Sequence, residues 1–243
     1  MNRPGQSGSG PGVITPDGSA VELYRRLTSQ NEPVTPQHEP GIVHGSVPRG
    51  ASILELGCGT GRMTRPLVEF GHPVVVVDES PEMLSYVPER IRGMRIRKFC
   101  STIERLRIDE RFDVVLLASR LINLCDSQVR EQLLDTCRWH LRESGCVIIQ
   151  QHDPALFSKP LVQEREDRKF VVRDIARDSA NVSATLEFHV DGVIWMQTVT
   201  VEELSRDRLE SCLRASSLRF DSYLTDDHTW IRAVTDAPAL ETG

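Results

Sequence analysis

No run of about 18 apolar residues occurs in the 243-residue chain, and the first 30 positions hold no apolar stretch of the signal-peptide kind. The expectation is a cytoplasmic protein with neither a membrane span nor a secretory leader. Paired cysteines are missing as well. The cysteines at 58, 100, 125, 137, 146 and 212 fall singly, with no CxxC and no Cys/His cluster at zinc-ligand spacing, so they read as free, mostly buried thiols and no metal is expected. There is no surplus of positive charge: 29 Lys and Arg stand against 35 Asp and Glu, a net charge of −6 that offers polyanions no general attraction, so nucleic acid is not expected as a partner. No repeat with a period of about 20–50 residues is visible, which excludes solenoids and propellers.

The length suits one sizeable α/β core, or one core with a small appended layer, and leaves no room for a second full domain. Residues 1–18 are rich in Gly, Pro and Ser and poor in apolar side chains, and read as a disordered tail. Residues 19–45 read as a helix followed by a lid segment. Ala20, Leu23, Tyr24 and Leu27 recur at helical spacing, and the three prolines of 31–41 cannot continue that helix. From 46 onward apolar runs alternate with helical stretches. Strands are predicted near 52–56, 73–77, 95–99, 113–118 and 145–151, with helices at 61–70, 81–86 and 127–142 and a turn at Ser144–Cys146. After Pro160 the texture changes to period-2 alternation separated by short turns, read as an antiparallel insertion over 165–203. A helix near 204–216 and a closing antiparallel pair complete the pattern.

Residues 53–64, ILELGCGTGRMT, run from an apolar strand through Gly57, Gly59 and Gly61 into a helix start. Glycines there let backbone N–H groups approach a ligand, and the helix N-terminus adds partial positive charge. A dinucleotide fingerprint, G-x-G-x-x-G, would need glycine at 62, where the chain has Arg62; a phosphate loop ending in Gly-Lys-Ser/Thr is also missing. Glu55, two residues before the first glycine, suits a ligand other than a phosphate. Asp78 ends the four-valine run of 74–77, where a carboxylate can accept both hydroxyls of a ribose. Taken alone, Asp78 points to an adenosine and leaves the nucleotide open.

The combination of Glu55, the G-x-G-x-G spacing, the DESPEM segment at 78–83 and FDVVLLAS at 112–119 resembles the core of class I S-adenosylmethionine-dependent methyltransferases, over about residues 50–153. LRESGCVIIQ at 141–150 resembles that family's turn into the fifth strand, departing from it at Glu143, Ser144 and Cys146. The fold implied is α/β, a Rossmann-like doubly wound, mostly parallel seven-stranded sheet with an added antiparallel β insertion after strand five. The cofactor implied is S-adenosyl-L-methionine, with S-adenosyl-L-homocysteine as product. By the resemblance, Gly57, Cys58 and Gly59 lie against the methionine moiety, Gly61 belongs to the same cofactor-binding loop, Glu55 reaches the amino group and Asp78 holds the ribose. Glu79, Ser80 and Met83 stand beside ribose and adenine. Thr102 occupies the place of the family's adenine-binding acid, Ile103 offers its backbone N–H to the ring, and Ala118 and Ser119 complete the methionine side.

The acceptor side is expected from the C-terminal ends of strands four and five, the N-terminal segment and the insertion. His152, whose unperturbed pKa of ~6.5 suits a general base, stands against a plain loop histidine. Tyr24 could stack and donate or merely pack. Arg120 and Asn123 are candidates for binding a polar acceptor group. His189, Trp195 and Gln197 lie in the insertion, where alternation alone does not say which face is inward. The [DN]-P-P-[FYW] signature of enzymes methylating amino groups of adenine, cytosine or glutamine is absent, as is a Pro-Cys nucleophile. The reading is a methyltransferase acting on a nitrogen or oxygen of a small molecule, a specialised metabolite such as those of antibiotic pathways, with a homodimer compatible with it. A macromolecular methyltransferase and a non-catalytic cofactor-binding relative stay as alternatives.

Overall fold

The computed structural model describes residues 21–23, 26, 39–165 and 168–236; the tail at 1–18 and Tyr24 lie outside them. Its central sheet has seven strands: β1 (Ile53–Leu56), β2 (Val74–Asp78), β5 (Arg97–Cys100), β6 (Phe112–Leu117), β7 (Leu141–Gln150), β12 (Leu218–Tyr223) and β13 (Trp230–Thr235). They lie in the order β12-β13-β7-β6-β1-β2-β5. Strands β5, β2, β1, β6 and β7 are parallel, and β13 is antiparallel to both β7 and β12. β1 and β2 are buried at every residue, as unbroken apolar runs in a covered parallel sheet should be. Leu54, Leu56, Val75 and Val77 face one core, shared with α4 (Ser127–His140) and α5 (Arg206–Ala215). Ile53, Val74 and Val76 face the other, under α1 (Glu39–Gly45), α2 (Thr64–Glu69) and α3 (Pro81–Tyr86). Helices on both faces make the sheet doubly wound, as expected.

Local chemistry sets the element ends. Ser80 caps α3 by accepting the Met83 N–H, with Pro81 at the first helical position, and Asp126 caps α4 by accepting from Gln128 and Val129. α2 begins at Thr64 rather than 61, because the glycine turn occupies the preceding residues. Residues 31–38 of the proline-rich stretch lie outside the described residues; α1 holds Pro40 in its first turn, where it sacrifices no helical hydrogen bond. The turn expected at Ser144–Cys146 is instead an irregularity inside β7: Phe112 pairs with Leu141 and Val114 with Cys146. A Cβ on Gly145 would lie 2.7 Å from the Asp113 carbonyl, so only glycine permits that approach. A two-residue hairpin joins β3 (Arg90–Ile91) to β4 (Met94–Arg95), with Arg92 and Gly93 both at positive φ; the alternation did not single it out.

The antiparallel layer is a separate four-stranded sheet, β11-β10-β9-β8, beginning at Leu161 rather than 165. β8 (Leu161–Arg165) joins β9 (Arg168–Asp178), β10 (Asn181–Val190) and β11 (Val193–Glu202). Phe157, Val172, Val182, Ala184, Val199 and Val201 form its own small core.

Candidate functional site

β1 leads into a turn in which Gly57, Gly59 and Gly61 take φ of +68°, +55° and +86°, the left-handed region that glycine enters without strain. The Cys58 N–H donates to the Val77 carbonyl (2.9 Å) and the Gly61 N–H to the Cys58 carbonyl (3.0 Å), which tie the turn to β2. A Cβ on Gly57 would come within 3.0 Å of a Leu121 methyl, and one on Gly61 within 3.2 Å of a Val87 methyl. A Cβ on Gly59 would meet nothing within 4 Å. A Cβ at 57 or 61 would therefore crowd a neighbouring side chain, whereas Gly59 faces open space.

Two carboxylates flank this loop. Glu55, in the middle of β1, is 2% exposed and accepts the Thr64 hydroxyl at 2.7 Å. Burial pushes its pKa up to about 7, against the pull of the Thr64 hydrogen bond and the Arg62 charge. Asp78, at the end of β2, accepts the Gly59 N–H at 2.8 Å on one oxygen and the Ser80 N–H at 2.9 Å on the other. Burial raises its pKa too. Each oxygen keeps a lone pair beyond its backbone bond. An acid under the loop and a second acid at its side suit a ligand carrying both an amino group and hydroxyls. The buried Cys58 thiol is pushed far up by burial and by both acids, so it stays protonated.

The other expected residues are distributed unevenly. Ile103 and Leu121 flank Gly57, while Thr102 is half-buried beside Ile103. Glu79 is exposed, Ser80 is the α3 cap, and Met83 is fully buried. Ala118 is buried at the end of β6, and Ser119 and Arg120 follow it with φ of +59° and +61°. Two consecutive non-glycine residues in that region carry roughly 1–2 kcal/mol of strain each, held by the hydrogen bond from the Ser119 N–H to Gln150 Oε1 (3.0 Å).

His152 is 3% exposed; its ring packs against Phe157 with centroids 4.5 Å apart, and its backbone N–H donates to Asn123 Oδ1 (2.6 Å). Burial first and the Arg120 charge second lower its pKa to about 4, so the imidazole is neutral. Asn123 Nδ2 donates to the Glu202 carbonyl (2.8 Å). Asn123 thus bridges β11 and the His152 backbone through its side-chain amide.

A second buried group was not legible in the sequence. Glu39 of α1 is 3% exposed, pairs with Arg62 and accepts the Gln150 amide at 2.8 Å, while Gln150 receives the Ser119 N–H. This chain of contacts joins α1, the residue after the glycine turn, and the ends of β6 and β7. Its partners lie up to 111 residues apart, a separation that no local pattern reports.

The register of the antiparallel sheet settles its faces. Trp195 pairs with Phe188, which pairs with Phe170, and Gln197 pairs with Leu186, which pairs with Val172. These share the face of the small core, and Phe170, Leu186, Phe188, Trp195 and Gln197 are only half-buried on it. His189 stands on the opposite face, where it pairs with Glu187 at 3.1 Å. The guanidinium of Arg26 lies 5.6 Å from the Trp195 ring and 3.1 Å from Asp191, which ties the first helical residues to the β10–β11 hairpin. Among the described residues, no group of three His, Cys, Asp or Glu side chains converges as metal ligands, and no helix is long and apolar enough to cross a membrane.

Residues 53–145 match the family described as methyltransferase domain. The chain is 31% identical over 149 residues to the cypemycin N-terminal methyltransferase of a Streptomyces species, covering 59% of this chain and 58% of that protein. The chain therefore spans little more than half the length of this curated relative. Among solved structures, the CcbJ methyltransferase from Streptomyces caelestis superposes with a TM-score of 0.71 at 17% identity, over 87% of this chain and 95% of that one. The sugar N-methyltransferase KedS8 from a Streptoalloteichus species superposes at 0.65 with 17% identity, over 97% and 98%. These likenesses establish the fold. Residues 53–145 thus carry the likeness to a methyltransferase domain, on a fold shared with solved methyltransferases.

Proposed function

We propose, on the premise of that domain, that the chain moves a methyl group from S-adenosylmethionine to a nitrogen or oxygen of a small molecule, a specialised metabolite. The observation that carries the reading is the open space at Gly59, whose N–H the Asp78 carboxylate holds, in the turn that follows the buried Glu55. The residues fit the cofactor. Asp78 has lone pairs for the ribose hydroxyls, Glu55 can meet the amino group directly or through water, and the backbone of residues 57–61 leaves room for the methionine moiety. Thr102 and Ile103 stand on the adenine side, and Ala118 and Ser119 on the methionine side. The bound sulfonium supplies an activated methyl group on a good leaving group. The chain's own tasks are to align the acceptor, exclude water and take a proton.

For the acceptor, the half-buried face of Phe170, Leu186, Phe188 and Trp195 suits the apolar faces of a ring-bearing molecule. In this reading residues 19–45 and the sheet from Leu161 to Glu202 cover the acceptor, Arg120 contributes to its binding, and neutral His152 receives the proton. Tyr24, outside the described residues, is a further candidate there. The sugar N-methyltransferase and cypemycin methyltransferase likenesses support a natural-product acceptor. The reading also places the protein in the cytoplasm. The test is incubation of purified protein with methyl-labelled S-adenosylmethionine and separated cell fractions. Label is expected in the small-molecule fraction, and label confined to protein or RNA overturns the reading.

A further inference from the structure

At the junction of the two sheets, two buried polar atoms of complementary character have no hydrogen-bond partner among the described residues: Nε2 of His152 and Oε1 of Glu203. Several contacts bring their residues together. Asn123 bridges the His152 N–H and the carbonyl of Glu202, the residue before Glu203. Arg177 of β9 donates to Glu203 Oε2 at 2.6 Å and to the Phe157 carbonyl at 3.2 Å, and the Phe157 ring lies against the His152 ring. The charged groups facing His152 are Arg120 from the turn after β6, Glu203 from the end of β11 and Arg177 from β9. An unsatisfied buried donor or acceptor costs about 1–3 kcal/mol, and a hydrogen bond between these two atoms would satisfy both.

We infer that Glu203 is the positioning residue of His152: its Oε1 accepts the imidazole Nε2–H and leaves Nδ1 as the basic nitrogen. This rests on the reading of His152 as the group that receives the acceptor's proton. The amine or hydroxyl that gains the methyl sheds one proton, Nδ1 takes it, Nε2–H stays on the ring, and the carboxylate of Glu203 offsets the imidazolium charge. Arg177, holding the other oxygen of Glu203 from the antiparallel sheet, links the acceptor-covering layer to the state of the base.

The test uses the full chain labelled with 15N and long-range 15N–1H spectra of its histidine rings. At pH 7.5 the wild-type His152 is expected in the Nε2–H form; Glu203→Leu shifts the tautomer toward Nδ1–H, and Glu203→Asp restores it. Glu203→Gln is expected to lower the His152 pKa and Arg177→Gln to raise it, each by about one unit. An Arg177–Glu203 bridge that merely holds the junction leaves the tautomer unmoved, whatever its charges do to the titration, and that result overturns the assignment. Full methyl transfer by His152→Gln would overturn the base reading, with the pairing judged by the spectra alone. Lost transfer in His152→Gln with unmoved spectra in the Glu203 variants keeps the base and overturns the pairing.

Discussion

The carboxylate of Asp78 accepts the backbone N–H of Gly59 at 2.8 Å, so the side chain ending β2 holds the one glycine of the turn that faces open space. The ribose anchor and the methionine cradle of the proposed cofactor site are thereby one mechanical unit. Loss of the carboxylate releases both.

Asp78→Ala is expected to weaken S-adenosylhomocysteine binding by about 10- to 100-fold, from the loss of charge-assisted hydrogen bonds of roughly 1.5–3 kcal/mol. Isothermal titration calorimetry on the purified chain measures this. Unchanged affinity would remove Asp78 from the site.

The pKa of Glu55, raised from 4.5 to about 7, makes cofactor binding a proton-linked event. A folded-state pKa above the unfolded value means the protonated acid stabilises the ligand-free fold fully below pH 4.5, and that contribution disappears as pH rises through 7. Against Glu55→Gln, the wild-type melting temperature should therefore fall between pH 5 and pH 8. The cofactor's cationic amino group favours the carboxylate, so binding near pH 6.5 should release a proton. Calorimetry in phosphate and in Tris should give enthalpies differing by the buffers' ionisation heats, and equal enthalpies would count against Glu55 as the amine partner.

Gly57→Ala and Gly59→Ala separate folding from binding. Both strain a positive φ by roughly 1–2 kcal/mol, but only the first drives a methyl to 3.0 Å from Leu121. Gly57→Ala should lower thermal stability more, whereas Gly59→Ala should lose more cofactor affinity per degree of melting temperature. Equal losses on both scales would contradict the assignment of Gly59 to the open side.

Glu39→Ala should destabilise the chain by about 1–3 kcal/mol, because it leaves the Gln150 amide without its acceptor and Arg62 without its charge partner. Denaturant unfolding measures the loss, and limited proteolysis should cut near α1 sooner than in wild type. Glu39→Gln, which keeps an acceptor for Gln150 but no charge for Arg62, should fall between the two.

The depressed pKa of His152 acts in the opposite direction to that of Glu55. A folded value near 4 against an unfolded ~6.5 means its stabilising neutrality is present above pH 6.5 and is lost as pH falls toward 4. Relative to His152→Gln, the wild type should lose stability across that interval. A parallel pH dependence in the two proteins would show that the histidine is not held neutral.

What the sequence determined by itself lies within short stretches of chain. Strand–glycine–helix over 53–64, the acid closing a valine run at Asp78, the capped starts of α3 and α4, and the change to alternation after Pro160 are all local patterns, because hydrophobic period, capping and turn chemistry act within a few residues. From them the parallel sheet and the glycine loop of the proposed cofactor site could be read. The tertiary structure decided what distance hides. Glu39 meets Gln150 across 111 residues, Asn123 turns out to join His152 to β11, and the strand register places Trp195 and Gln197 inward and His189 outward. The bulge at Gly145 follows the same rule: it is no local preference, and it exists because β6 supplies the pairing and the close contact that its own neighbours cannot.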